Sequence, residues 1–107
     1  MPFDAETVAL EMVGALRRTV EVVEKRDRDL ASQMRRAATG VVLNLAEARK
    51  RQGGDRTHLF RCASGSAAET RTALRVAVAW GYVDEQPAAE ALLDRLLAIT
   101  WRLSHPR

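Results

Sequence analysis

The chain has 107 residues, 47% of them apolar and 29% charged, with a formal net charge of +3. That length accommodates one domain, residues 1–107, and excludes two, while the apolar fraction excludes a disordered tail. Aromatic residues make up only 5% and Ala, Leu, Val, Arg and Glu dominate, which favours helix and excludes an all-β fold.

Asp4 and Glu6 predict a helix start, because an Asp side chain caps free amides and acidic residues favour the positive end of a helix dipole. Val8, Met12, Leu16, Val20 and Val23 then recur at helical spacing. The run Lys25-Arg26-Asp27-Arg28-Asp29 has no apolar position and predicts the first turn, with Asp29 capping a second helix from Leu30. Helix two carries Leu30, Met34, Ala37, Ala38, Val41, Val42 and Leu45 on one face and is expected to stop at Gly53-Gly54.

Asp55 is the expected cap of helix three. Its inner face is read as Leu59, Phe60, Ala63, Ser66, Ala67, Thr70, Ala73, Leu74, Ala77 and Trp80, with Gly81 as a left-handed closing residue. Asp84 is the next cap candidate and Pro87 sits where a missing N–H does least harm. Helix four then places Ala88, Leu92, Leu96, Ile99 and Leu103 inward. Four helices of similar length joined by short turns predict an all-α, antiparallel up-down-up-down four-helix bundle, with loose ends at Met1–Phe3 and Ser104–Arg107.

No apolar run approaches the ~18 residues that a membrane span requires, and Met1–Glu11 lacks the basic start of a secretory signal, so a cytoplasmic protein without membrane association is expected. A single cysteine, Cys62, excludes an internal disulfide and is read as a small buried hydrophobe.

Charge is uneven along the chain. Residues 30–83 hold nine Lys and Arg against three acids, residues 1–29 hold five against seven, and residues 84–107 three against four. A basic middle hairpin is what a polyanion-binding face would look like, because Arg and Lys contacts to phosphate dominate nucleic-acid affinity. The candidate nucleic-acid-binding residues are Arg35, Arg36, Arg49, Lys50, Arg51, Arg56 and Arg61. The alternative is that these side chains solvate a helical surface or pair with acids of a neighbouring subunit, which would suit an interaction scaffold that ignores nucleic acid.

Catalytic signatures are missing from the sequence. There is no Glu-x-x-His pair of the di-metal bundles, no phosphate-cradling glycine loop, and His58 and His105 follow no ligand spacing, so neither a metal nor a cofactor is expected and the protein is read as non-enzymatic. Asn44, Glu47, Ser66 and Glu69 stand near apolar stripes and predict a structural hydrogen-bond network, with Arg36 as a further member. Glu47 and Glu69 as an acid/base pair is the sharper alternative. Trp80 and Trp101 occur singly near helix ends, which favours core or subunit-interface packing over base stacking.

The residues Gln33-Met34-Arg35-Arg36-Ala37-Ala38, Asn44-Leu45-Ala46-Glu47, Arg51, Phe60, Ala63, Gly65-Ser66, Glu69 and Gly81-Tyr82 together resemble the four-helix-bundle proteins first noticed in intervening sequences of bacterial large-subunit ribosomal RNA genes. Ala48 stands where that family commonly has glycine, and Leu45 where it has isoleucine. Members of the family resemble the accessory variability determinant of diversity-generating retroelements. That likeness implies a basic homopentamer that binds RNA or DNA and serves a reverse transcriptase.

Overall fold

A computed structural model describes residues 4–106, which form four α-helices: α1 (Asp4–Arg26), α2 (Arg28–Arg49), α3 (Gly53–Ala79) and α4 (Pro87–Ser104). Each helix packs on the next and α4 closes against α1, giving the antiparallel up-down-up-down bundle, 42 × 22 × 20 Å along its principal axes. Among the described residues no helix is long and apolar enough to cross a membrane.

The core is built from the heptad-like stripes the sequence displays. Met12 and Leu16 of α1, Met34 and Leu45 of α2, Leu74 of α3, and Leu93 and Leu96 of α4 are fully buried. Alanines fill most of the remaining inner positions of α2 and α3. At Gly40 of α2 an added Cβ would lie 3.0 Å from the Ser66 Oγ of α3, so those two helices meet closely there and a side chain at position 40 would have to displace the Ser66 hydroxyl.

The α1–α2 reversal is sharper than expected. Asp27 is its only residue outside helix; its amide still bonds the Val23 carbonyl at 2.7 Å, and its backbone then turns extended. Its Oδ1 accepts from the Leu30 amide at 3.0 Å, so Asp27 is the cap of α2, and Asp29 lies inside the first turn. The charged run did not require a longer turn, because fully solvated charged side chains are good helix formers.

The second junction also differs. The Lys50 and Arg51 amides close α2 on the Glu47 and Ala48 carbonyls without help from glycine, so Gly53-Gly54 begin α3 instead of ending α2. Gly53 has φ +58°, a left-handed backbone that turns the chain into α3 at little steric cost. Gln52 is the capping residue, with no side-chain cap, and Asp55 acts only as a first-turn charge.

At the third junction Gly81, with φ +79°, closes α3 as expected. Tyr82 N–H bonds the Ala77 carbonyl and Gly81 N–H the Val78 carbonyl, both at 2.9 Å, the paired bonds of a Schellman motif. Asp84 does not cap α4; its carbonyl accepts from Gln86 Nε2 at 2.9 Å. Pro87 occupies the first turn, where its fixed φ sets the helix start.

The buried stripe of α4 is Ala89, Leu93, Leu96, Thr100 and Ser104, rotated from the expected one. Ala88 is exposed, and Leu92, Ile99 and Leu103 are half-buried. Two hydroxyls lie on this buried face: Thr100 Oγ1 donates to the Leu96 carbonyl at 2.7 Å and Ser104 Oγ to the Trp101 carbonyl at 3.1 Å. Their hydrogen-bonding capacity is met inside the helix, so burial costs little.

Ser104 therefore belongs to the ordered helix, and His105 stacks on Trp101 with ring centroids 4.1 Å apart. Met1–Phe3 and Arg107, expected to be loose, lie outside the described residues, as does any residue that caps α1 ahead of Asp4. Neither tryptophan is core: Trp80 is 69% and Trp101 57% exposed, since Trp80 caps the end of α3 and Trp101 lies on the outer face of α4, between the buried Thr100 and Ser104. Cys62 is half-buried, not buried, with its Sγ 3.5 Å from His58 Nε2.

Candidate nucleic-acid interface

Antiparallel packing divides the seven candidate basic residues into two groups. Arg49, Lys50 and Arg51 end α2, and Arg56 and Arg61 begin α3, so five of them gather around the α2–α3 turn. Arg35 and Arg36 lie about 20 Å away along α2, at ~1.5 Å per residue. All seven are exposed.

The basic middle helices are laced to the acidic outer ones. Arg35 makes a two-pronged pair with Glu24 of α1, at 2.8 and 3.3 Å. On the other side of the bundle Arg75 pairs with Glu90 and Arg71 with Asp94, all at 3.1 Å. The hydrogen bond from Arg35, and then its charge, hold the Glu24 carboxyl below its ordinary range. The Arg35 and Arg75 guanidinium groups are pushed up by their bonds to Glu24 and Glu90. These pairs lie within one chain and account for part of the Arg content without a neighbouring subunit.

At the turn end, Arg49 Nε faces the Glu6 Oε1 of α1 at 3.2 Å. That oxygen is inaccessible to water and makes no hydrogen bond, so the contact is an ion pair out of alignment. Arg51 pairs with Glu47 one turn back, at 3.0 Å. Among the described residues Lys50, Arg56 and Arg61 face no carboxylate within ion-pair distance; Arg56 lies over the Phe60 ring, 5.6 Å from its centroid. Three cations are thus left facing solvent on one end of the bundle.

The expected polar network does not assemble within the chain. Glu47 is engaged by Arg51 and Glu69 is exposed. Ser66 faces Gly40, and its carbonyl accepts from Thr70 at 2.7 Å. Because Gly40 sits level with Ser66, Glu47 is level with Leu59, whose side chain lines the same shallow depression. That places Glu69 roughly 15 Å further along the bundle, too far for an acid/base pair with Glu47. Asn44 is half-buried on α2 and joins none of the other three.

His58 and His105 share the turn end of the bundle, and among the described residues no three His, Cys, Asp or Glu side chains converge as metal ligands.

A cluster that sequence reasoning missed occupies the opposite end. There Trp80 stacks near-parallel to Tyr82, at 19° and 6.5 Å between centroids. The Arg26 guanidinium lies over the Tyr82 ring at 5.5 Å. The Tyr82 hydroxyl donates to Asp27 Oδ2 at 3.3 Å. Desolvation first, and then the Asp27 charge, push the Tyr82 hydroxyl pKa up. The contributing residues are separated by more than fifty positions, so only the Gly81 turn signal hinted at an ordered aromatic there.

Fold and surface together define an all-α four-helix bundle with basic residues gathered at one end. The chain belongs to the 23S rRNA-intervening sequence protein family, whose model matches residues 5–104. No curated protein and no solved structure matches the chain.

Proposed function

We propose that this protein is a non-enzymatic, nucleic-acid-binding bundle that works as a homo-oligomer and meets phosphates with its α2–α3 end. The observation that carries the reading is the exposed trio Lys50, Arg56 and Arg61, which face no carboxylate among the described residues, beside the turn-end cations Arg49 and Arg51. Cations without acid partners are the ones available to displace counterions from a phosphate backbone. Membership of a family named for a ribosomal RNA intervening sequence supports association with nucleic acid. Arg35 is the weakest of the seven candidates, since a phosphate must compete with its two-pronged Glu24 pair.

Self-association is supported by exposed Leu10 and Leu43, at 59% and 63%, and by a groove between α1 and α2 whose apolar floor of Val13, Gly14, Leu16, Val20 and Ala38 is flanked by Arg17, Glu21, Arg35 and Thr39. The retroelement resemblance extends the proposal to a homopentamer that serves a reverse transcriptase. The same exposed leucines favour the second reading, a protein-interaction scaffold that ignores nucleic acid.

Anisotropy titration of labelled single-stranded and duplex RNA and DNA over a salt series, with particle mass measured on the same samples, tests both. Salt-dependent binding by an oligomer, weakened by Lys50→Glu with Arg56→Glu, is expected. An oligomer that binds none of the four probes at low salt overturns the nucleic-acid reading and leaves the scaffold.

A further inference from the structure

We propose that Trp80, braced by Tyr82 and Arg26, is a stacking site for an unpaired nucleobase of a single strand, at the end of the bundle opposite the basic turn. The proposal rests on the nucleic-acid reading above and adds a second, chemically different contact to it.

The backbone that carries the indole and the ring beside it are both fixed. Trp80 is the C-cap of α3, and the Gly81 backbone with its two Schellman bonds directs the chain away behind it. Tyr82 lies near-parallel beside it and is itself fixed by the Asp27 hydrogen bond below and the Arg26 guanidinium above. Asp27 is in turn fixed as the cap of α2. A large aromatic that is 69% exposed beside such a fixed ring offers a π-face to solvent, which is what sequence-tolerant base stacking uses.

The surroundings favour a base over a protein side chain. Lys25, Arg26 and Arg28 are exposed around the α1–α2 turn and make no ion pair among the described residues, so they can meet the flanking phosphates. The acids are Asp27, committed to its two bonds, Glu24, committed to Arg35, and Asp29, Asp84 and Glu85 around the rim. With acids and bases nearly balanced, charge alone gives this end little hold on a polyanion, and the stack must supply the affinity.

The bundle is only 22 × 20 Å in cross-section. An end face of that size spans roughly 400 Å² in flat projection. It is ample for one or two stacked nucleotides. Sequence alone argued against stacking because Trp80 stands apart from basic residues along the chain; folding brings Arg26 and its neighbours to it.

The chain has two tryptophans, so Trp101→Phe leaves Trp80 as the sole indole reporter. Titration of that variant with oligodeoxythymidine should quench the indole emission, and duplex of matched length should not. Trp80→Ala should weaken single-strand binding by roughly ten-fold, within the range of aromatic–base stacking. It should leave duplex binding and the salt slope unchanged, and Trp80→Phe should recover part of the loss. Single-strand binding that is salt-dependent and sensitive to Lys50→Glu, yet indifferent to Trp80→Ala and without quenching, overturns the stacking site alone. Absence of binding to any strand overturns the site together with the reading beneath it. Circular dichroism of Trp80→Ala confirms that the helices persist, as expected for a side chain outside the core.

Discussion

The Tyr82 hydroxyl and the Asp27 carboxylate, 55 residues apart in sequence, meet at 3.3 Å and tie the α3–α4 loop to the α1–α2 turn. Asp27 uses its other oxygen to cap α2 at the Leu30 amide, so one side chain organises two chain reversals. Asp27→Ala should lower stability by about 1 kcal/mol, the usual cost of losing a cap. Tyr82→Phe should cost less, and the double variant less than the two losses added, because both remove the same hydrogen bond. Chemical denaturation of the four proteins checks this.

Tyr82 is the only tyrosine in the chain, so its ionisation can be followed directly by tyrosinate absorbance. Desolvation and the Asp27 charge raise its pKa above 10.0, and the folded protein should titrate later than the unfolded one. A group with a raised folded pKa contributes stability below its unfolded value and loses it as pH rises through the folded value. Stability should therefore fall on the alkaline side, and Tyr82→Phe should flatten that fall.

The sign reverses for Glu24. Its carboxyl is held below 4.5 by Arg35, so its contribution is present above that value and is lost as pH falls through the lower folded pKa. Both partners are solvent-exposed and the effect is screened. Thermal melts in mildly acidic, low-salt buffer should show Glu24→Gln with a shallower acid dependence than the parent, a difference that high salt removes.

Glycines within helices separate into two kinds. Around Gly14 and Gly65 a Cβ would meet nothing within 4 Å, so Gly14→Ala and Gly65→Ala should each stabilise by roughly 0.5–1 kcal/mol through backbone entropy. Gly40→Leu should instead destabilise by about 1–3 kcal/mol, as expected when close-packed elements are overfilled, because Ser66 stands at 3.0 Å. Gly14 also lines the α1–α2 groove. A stabilised Gly14→Ala protein of lower particle mass would mark that groove as the self-association face.

Charge reversal should grade the basic residues by their partners. Lys50→Glu, Arg56→Glu and Arg61→Glu should each weaken nucleic-acid binding, and the salt slope should fall by about 0.7–0.9 for every phosphate no longer neutralised. Arg35→Glu should affect binding less and stability more, since it places a like charge against Glu24. Anisotropy and denaturation measured on the same four variants separate the two effects.

Much of this protein was determined locally and could be read from sequence. The apolar periodicity set four helices and most of their inner faces, and Gly81 marked a left-handed turn that few other residues tolerate. The composition of residues 30–83 made the middle hairpin basic. Junctions and surroundings were decided by tertiary structure. Which of several aspartates caps a helix depends on where the preceding helix runs out, so Asp27 displaced Asp29. Whether Thr100 and Ser104 face inward depends on how α4 packs against α3 and α1, since a carbonyl of the same helix can satisfy either hydroxyl whichever way it faces, so the α4 stripe rotated. The register of antiparallel helices decided the rest: it paired Arg35 with Glu24, separated Glu47 from Glu69, and left Lys50, Arg56 and Arg61 facing solvent at one end. At the other end it set Trp80 beside Tyr82 and Arg26. Such juxtapositions arise from side chains dozens of residues apart meeting across a packed core, and no local pattern encodes them.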